Sequence, residues 1–171
     1  AIKAVEPDSI FLNNEIIRVK GDYYYPPFEF INENGEPDGF NVELFKKLAA
    51  DLDLNYTLEL EPWRKVRKEL ENREIDVLLG LMVSEERSKK VKFGIPHSIM
   101  THGIFTRVDV KIDRIDQLKD KEIIVQESDL MHDYLLKTKL TDKIILANNQ
   151  HEALTLLAAG KHDAALIGNF Q

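Results

Sequence analysis

The chain has 171 residues, 43% of them hydrophobic, which suits one ordinary domain or two small lobes around a sizeable core. A formal net charge of −7 argues against a nucleic-acid surface, because binding phosphates needs a basic patch. The absence of cysteine excludes disulfides, thiolate metal sites and cysteine nucleophiles, and no apolar run reaches the roughly 18–20 residues of a membrane span.

Residues 1–14 read as a lead-in. "EIIRVKG" (15–21) is predicted as a strand, apolar and β-branched in its middle. "INENGEPDG" (31–39) is a turn by composition, with Asn34-Gly35 a hairpin signal. "NVELFKKLAADLDL" (41–54) sets Val42, Phe45, Leu48, Ala49 and Leu52 at helical spacing. "NYTLELEP" alternates as a strand does, and "WRKVRKELENR" carries Trp63, Val66 and Leu70 on one helical stripe. The basic cluster Arg64-Lys65-Arg67-Lys68 on that helix is interleaved with Glu61, Glu69 and Glu71, the pattern of a solvated face. "IDVLLGLM" is apolar on both faces, as strands of a covered parallel sheet are.

The second half repeats the theme. "HGIFTRV" (102–108) and "KEIIVQ" (121–126) are predicted strands, and "SDLMHDYLLKT" is a helix with Ser128 or Asp129 as N-cap. "KIILA" is a strand, "NQHEALTLLAAG" a helix ended by Gly160, and "HDAALIG" a last strand. The class is therefore α/β with mostly parallel sheets. Two blocks of similar format, 58–82 and 144–168, point to two similar lobes.

Ser84 caps a segment that begins Glu85, Glu86, Arg87. The glutamates suit a helix N-terminus, where the backbone dipole is positive, and the arginine does not. Either Arg87 is solvated or paired with Glu85 or Glu86, or it joins free backbone N–H groups in an anion site whose guanidinium fork fits a carboxylate. In "GDYYYPPFEF" (21–30), Tyr23, Tyr24 and Tyr25 line a sheet edge or, at the strand end, present a ring to a ligand. Trp63 serves core packing or a ligand contact. The five histidines lack metal-ligand spacing, so neither a metal nor a cofactor is expected. No Gly-rich phosphate loop or Gly-x-Ser-x-Gly elbow supports catalysis.

Taken in order, "GDYYYPPFEFINENGEPDGFNVELFKKLA", "IDVLLGLMVSEERSKKVKFGIPHS", "LKDKEIIVQESDLMHDYLL" and "NQHEALTLLAAGKHDAAL" resemble the bacterial amino-acid-type periplasmic solute-binding proteins (family 3). "GLMVSEER" and "MHDYLL" look more like the extracytoplasmic sensor domains of two-component histidine kinases built on that plan. The resemblance implies a two-lobed, type II periplasmic-binding-protein (Venus flytrap) fold, with lobe 1 over 15–98 and lobe 2 over 99–171. It also implies that both lobes await a C-terminal return beyond residue 171.

In that resemblance Arg87 matches the arginine that grips the ligand's carboxylate. Asp22 and Tyr25 match a cleft-lining acid and aromatic, and Trp63 matches an apolar contact. Gly80, Leu81 and Met82 match the backbone lining of the first lobe, and Ser128 and Asp129 the anion-facing loop of the second. The chain departs from the family in being one residue shorter before "SEER". It also offers Gly168 near the last strand, where an aspartate often holds the ligand's ammonium group. Asp129 compensates, or the ligand is a carboxylate without that clamp.

The function implied is an extracytoplasmic sensor for a small carboxylate-bearing or amino-acid-like solute. Its partners would be downstream transmembrane and kinase modules of an inner-membrane receptor, with a homodimer left open. The rivals are a free binding protein of an ABC transporter and an enzyme on this scaffold, for which Asp22 and Asp129 are the only general-acid candidates.

Overall fold

The structure, a computed structural model, describes residues 15–169; the expected lead-in over 1–14 lies outside them. In the first lobe, β1 (Ile17–Asp22) is flanked on either side by β5 (Tyr56–Glu61) and β6 (Val77–Leu78), all parallel. Parallel neighbours need a crossover, supplied by α1 (Phe40–Asp51) and α2 (Trp63–Glu71). Along β1 and β5, β-branched and aromatic residues build one buried face. Val19, Leu60 and Leu79 meet Val42 of α1 there, with Phe45 and Tyr56 edge to face at 5.1 Å between ring centroids.

Between β1 and α1 the chain makes a small antiparallel sheet of β2 (Tyr24–Tyr25), β3 (Glu29–Ile31) and β4 (Pro37–Asp38). The Asn34-Gly35 signal marks a turn, but a longer one than a two-residue hairpin. Asn32 Oδ1 accepts from the backbone of both Asn34 (2.9 Å) and Glu36 (3.0 Å) and so organises a wider loop.

The second lobe is a four-stranded sheet in the order β7 (Thr101–Phe105), β10 (Ala164–Asn169), β8 (Ile123–Gln126), β9 (Ile144–Ala147). Here β10, β8 and β9 run parallel and β7 antiparallel to β10. The pleat divides the side chains. Ile123, Val125, Ala164 and Leu166 face α4 (Leu130–Thr138) and the 3-10 turn Ile115–Leu118, while Ile124, Ala165 and Ile167 face α5 (Gln150–Ala158). Both faces are covered, which is why β8 reads as one apolar run. Each fully buried Ile or Leu here contributes about 1.5–3 kcal/mol. Helix α5 is capped as its sequence announces: Asn149 accepts from the Glu152 N–H at 2.8 Å, and Gly160 follows its end at φ 80°.

Two predicted elements differ from what forms. The run 75–82 yields a strand only at Val77–Leu78, because Gly80 takes φ 64° and turns the chain out of the sheet. The segment after Ser84 is a single turn, α3 (Glu85–Ser88), so Arg87 stands in its last turn as well as its first. The dipole argument against a cation at that position therefore lapses.

Candidate functional site

In an open α/β sheet the carboxyl ends of parallel strands leave a crevice, and here two such crevices face each other. Lobe 1 contributes Asp22 from the end of β1, Trp63 just after β5, and Gly80 and Met82 after β6. Lobe 2 contributes Gln126 from the end of β8, Asp129 just beyond it, and Gln150 after β9. With Tyr25 and Glu29 they enclose a cavity of about 20 Å³. That is room for roughly one water molecule.

Asp22 is 3% exposed, and its carboxylate spans the cleft. One oxygen accepts from the Tyr24 N–H at 3.0 Å and the other from Gln126 Nε2 of lobe 2 at 3.0 Å. Burial, aided by the Asp129 charge, pushes its pKa up to about 6. Glu29 lies beneath, fully buried, accepting from the Asp22 N–H (2.8 Å) and from Asn41 Nδ2 (2.6 Å). Burial raises it to about 7. Its two oxygens occupy the space that a Cβ on Gly21 or Gly80 would need, so both strand ends must lack a side chain to pass it.

Tyr25 stacks on Phe28 (centroids 5.9 Å, 28°), and burial pushes its phenol up. Across the cleft, a Cβ on Gly168 would lie 3.0 Å from Gln150 Nε2 and 3.1 Å from the Tyr25 hydroxyl. The space where the resemblance leads one to expect an aspartate is thus taken by the Gln150 amide. Asp129 is 7% exposed and, among the described residues, accepts no hydrogen bond at its carboxylate; His102 Nε2 stands 3.6 Å away.

Arg87 is 4% exposed. It pairs with neither Glu85 nor Glu86. Its Nε and Nη2 both donate to Asp133 Oδ2 of α4, at 3.1 and 3.0 Å, and Nη1 donates to the Met82 carbonyl at 3.2 Å. Arg67 reaches the same carboxylate at 2.9 Å. Ser128, in the left-handed region at φ 66°, turns its carbonyl toward lobe 1. There it accepts from Trp63 Nε1 (3.0 Å), Arg87 Nη2 (3.4 Å) and Arg67 Nη1.

Of the nine residues singled out from sequence, Asp22, Tyr25, Trp63, Gly80, Met82 and Asp129 line the cavity. Leu81 lies half-buried between two of them. Ser128 acts through its carbonyl, and Arg87 lies in the inter-lobe contact beside the cavity. Asp129 is the α4 N-cap by position but makes no side-chain cap bond; it lines the cavity, with Oδ2 3.6 Å from His102 Nε2. Glu29, Gln126, Gln150 and Asp133 escaped the sequence reading. The first three sit at or near strand ends, a signal that was present. Asp133 sits in the first turn of α4, where an acid is ordinary, and carries none.

A profile of bacterial extracellular solute-binding proteins, family 3, matches residues 17–168. The L-cystine-binding protein TcyJ of Escherichia coli (strain K12) is 34% identical over 104 residues, 58% of this chain and 38% of that protein. The arginine-binding periplasmic protein of Mannheimia haemolytica is 27% identical over 141 residues, 82% and 57% of the two chains. The chain spans about half the length of the curated relatives it matches. Among solved structures, a histidine kinase sensor domain with similarity to periplasmic binding proteins superposes with TM-score 0.84 at 34% identity, over 90% of this chain and 68% of that one. An ancestral arginine-binding protein bound to glutamine gives 0.76 at 28%, over 90% and 69%. Two α/β lobes with facing strand ends, and a profile match over nearly all described residues, lead to one assignment: the chain belongs to the bacterial extracellular solute-binding proteins, family 3.

Proposed function

We propose that the chain is the extracytoplasmic ligand-binding part of a sensor, which closes two lobes on a small amino-acid-like solute and passes that closure to a histidine kinase in the same protein. Lobe 1 then runs over 15–98 and lobe 2 from 99 onward. A membrane anchor, kinase modules and a signalling homodimer belong to this reading. The observation that carries it is the cleft itself, where polar side chains of both lobes converge on one cavity beside two aromatic rings. The likeness to a histidine kinase sensor domain supports the signalling half.

Only differential affinity shifts an open–closed equilibrium, and moving it from mostly open to mostly closed takes about 5.5 kcal/mol. The solute must therefore engage Asp22 or Trp63 on one side and Gln126, Asp129 or Gln150 on the other. Calorimetric titration with amino acids, dicarboxylates and amines, followed by X-ray scattering with the best binder, tests this. A binder that shrinks the radius of gyration supports the reading, and the absence of any binder sinks it.

The second reading is a binding protein that delivers its solute to an ABC transporter, in line with what the arginine- and cystine-binding relatives are named for. A kinase module in the same polypeptide, with phosphorylation that responds to the solute, decides for the sensor. Solute uptake that depends on the protein decides for transport.

A further inference from the structure

Charges are distributed unevenly around the cleft. Asp22, Glu29 and Asp129 line the cavity, and among the described residues no Lys or Arg lines it. Asp129 is more than nine-tenths buried, lines the cavity and accepts no hydrogen bond among the described residues; the basic group beside it, His102 Nε2, stands 3.6 Å away, beyond hydrogen-bond distance. A buried carboxylate in that condition calls for a cation or a donor. Meanwhile the Arg87 guanidinium fork beside the cleft is filled from within. Arg87 spends Nε and Nη2 on Asp133, 46 positions away on the opposite lobe, and Arg67 backs the same carboxylate.

We propose that the cleft takes a small cationic solute without a carboxylate, an amine or guanidine, and that Asp133 is the specificity-determining residue because it fills the Arg87 fork. This rests on the solute-binding reading above and names its ligand class. A solute carboxylate would have to displace Asp133, a competitor tethered to lobe 2 and therefore present at high effective concentration whenever the lobes are near. Even if it succeeded, it would lie beside the buried carboxylates of Asp22 and Asp129. An ammonium or guanidinium meets neither obstacle. It finds Asp129 waiting, Asp22 already oriented by Gln126, and the rings of Tyr25 and Trp63 beside them, surfaces that attract cations. Discrimination here comes from a built-in repulsive element as much as from attraction.

The test is calorimetric titration of the whole chain with 4-aminobutylguanidine (arginine less its carboxylate) and with L-arginine, on wild type and Asp133→Asn. The expected result is at least a tenfold preference of wild type for 4-aminobutylguanidine, narrowing or reversing in Asp133→Asn as the Arg87 fork is freed. L-Arginine binding wild type as tightly as its decarboxylated form overturns the proposal, and that ratio needs no variant to fold. A folded Asp133→Asn with an unchanged ratio overturns the role given to Asp133. If an acidic or neutral solute binds and both cations fail, this inference falls while the solute-binding reading stands. If nothing in a panel of amino acids, acids and amines binds, both fall together.

Discussion

The indole nitrogen of Trp63 donates across the cleft to the carbonyl of Ser128 at 3.0 Å, joining the first turn of α2 to the residue that precedes the α4 cap. Two arginines converge on the same carbonyl, so this one backbone atom gathers three donors from lobe 1. Because Trp63 is the chain's single tryptophan, its fluorescence reports on the cleft alone. Removing Arg87 takes away its two hydrogen bonds to Asp133 and one to Ser128. Asp133 keeps Arg67, and its side chain is 35% exposed, so the cost is discounted from that of a dry ion pair to about 1–3 kcal/mol. The expected outcome for Arg87→Ala is a red-shifted Trp63 emission with unchanged far-UV dichroism. An unshifted emission would show that the pair does not hold the lobes.

Gly80 carries two constraints at once. At φ 64° it sits where a side chain costs roughly 1–2 kcal/mol, and the Glu29 carboxylate fills the space a Cβ would take. Gly80→Ala should therefore lose about 2–4 kcal/mol in urea unfolding with an unchanged m-value, the sum of strain and the displacement of a buried acid. A loss under about 1 kcal/mol would mean that Glu29 moves aside freely.

Glu29 also gives stability a pH signature. Its folded pKa, about 7, lies above the ordinary value of 4.5, so between those limits the folded state binds more protons than the unfolded one. Stability from this group is fully present below about pH 4.5 and is lost as pH rises toward 7. The size is on the order of 3 kcal/mol for a shift of that extent. Glu61 and Asp76, held low by Lys65 and Arg18 respectively, act in the opposite sense and only in stronger acid. Chemical denaturation at pH 5.5 and pH 8 should show the wild type more stable at the lower value, and Glu29→Gln should shrink that difference to the smaller part due to Asp22, which acts in the same sense up to about pH 6. A wild type equally stable at both would remove Glu29 from the account.

What the sequence disclosed follows from how local each signal is. Helical stripes such as Val42, Phe45 and Ala49, and the two-faced apolar run Ile123–Val125, announce elements because a short window holds the whole pattern. Local reading offers the tyrosines at a strand end, and Trp63 and Asp129 at helix starts; it is the resemblance to a known family that marks Asp22, Tyr25, Trp63 and Asp129 as cleft residues. Gln126 and Gln150 stand at such places too, but a neutral amide draws no notice until its partner is known. Asp133 could not be read at all: in "LMHDYLL" it is one more polar residue on an amphipathic helix, and its role is fixed by Arg87 and Arg67 on the other lobe. The full length of "IDVLLGLM" looked like a strand because apolar character outweighed Gly80, whose backbone angle ends it.

Asp22 should set the pH dependence of binding. In the free protein its pKa is about 6, raised first by burial and further by the Asp129 charge, and opposed by its bonds to Tyr24 and Gln126. The titratable groups that face it are Asp129 and Glu29, with Tyr25 beside them and His102 against Asp129. A cation placed between Asp22 and Asp129 favours the ionised form and lowers that pKa. Binding then releases protons when started near pH 6, and affinity weakens as pH falls below it, by at most about tenfold per pH unit for one group. Above pH 7, Asp22 is ionised already and adds no slope. Calorimetry with 4-aminobutylguanidine at several values between pH 5 and pH 8, in two buffers of different ionisation enthalpy, measures both the affinity and the protons exchanged. Weaker binding with proton release in acid is the expected outcome. Binding of 4-aminobutylguanidine that stays constant or tightens on acidification would mean that an ionised Asp22 does not hold the cation, and it would remove the sign of charge assigned to this cleft.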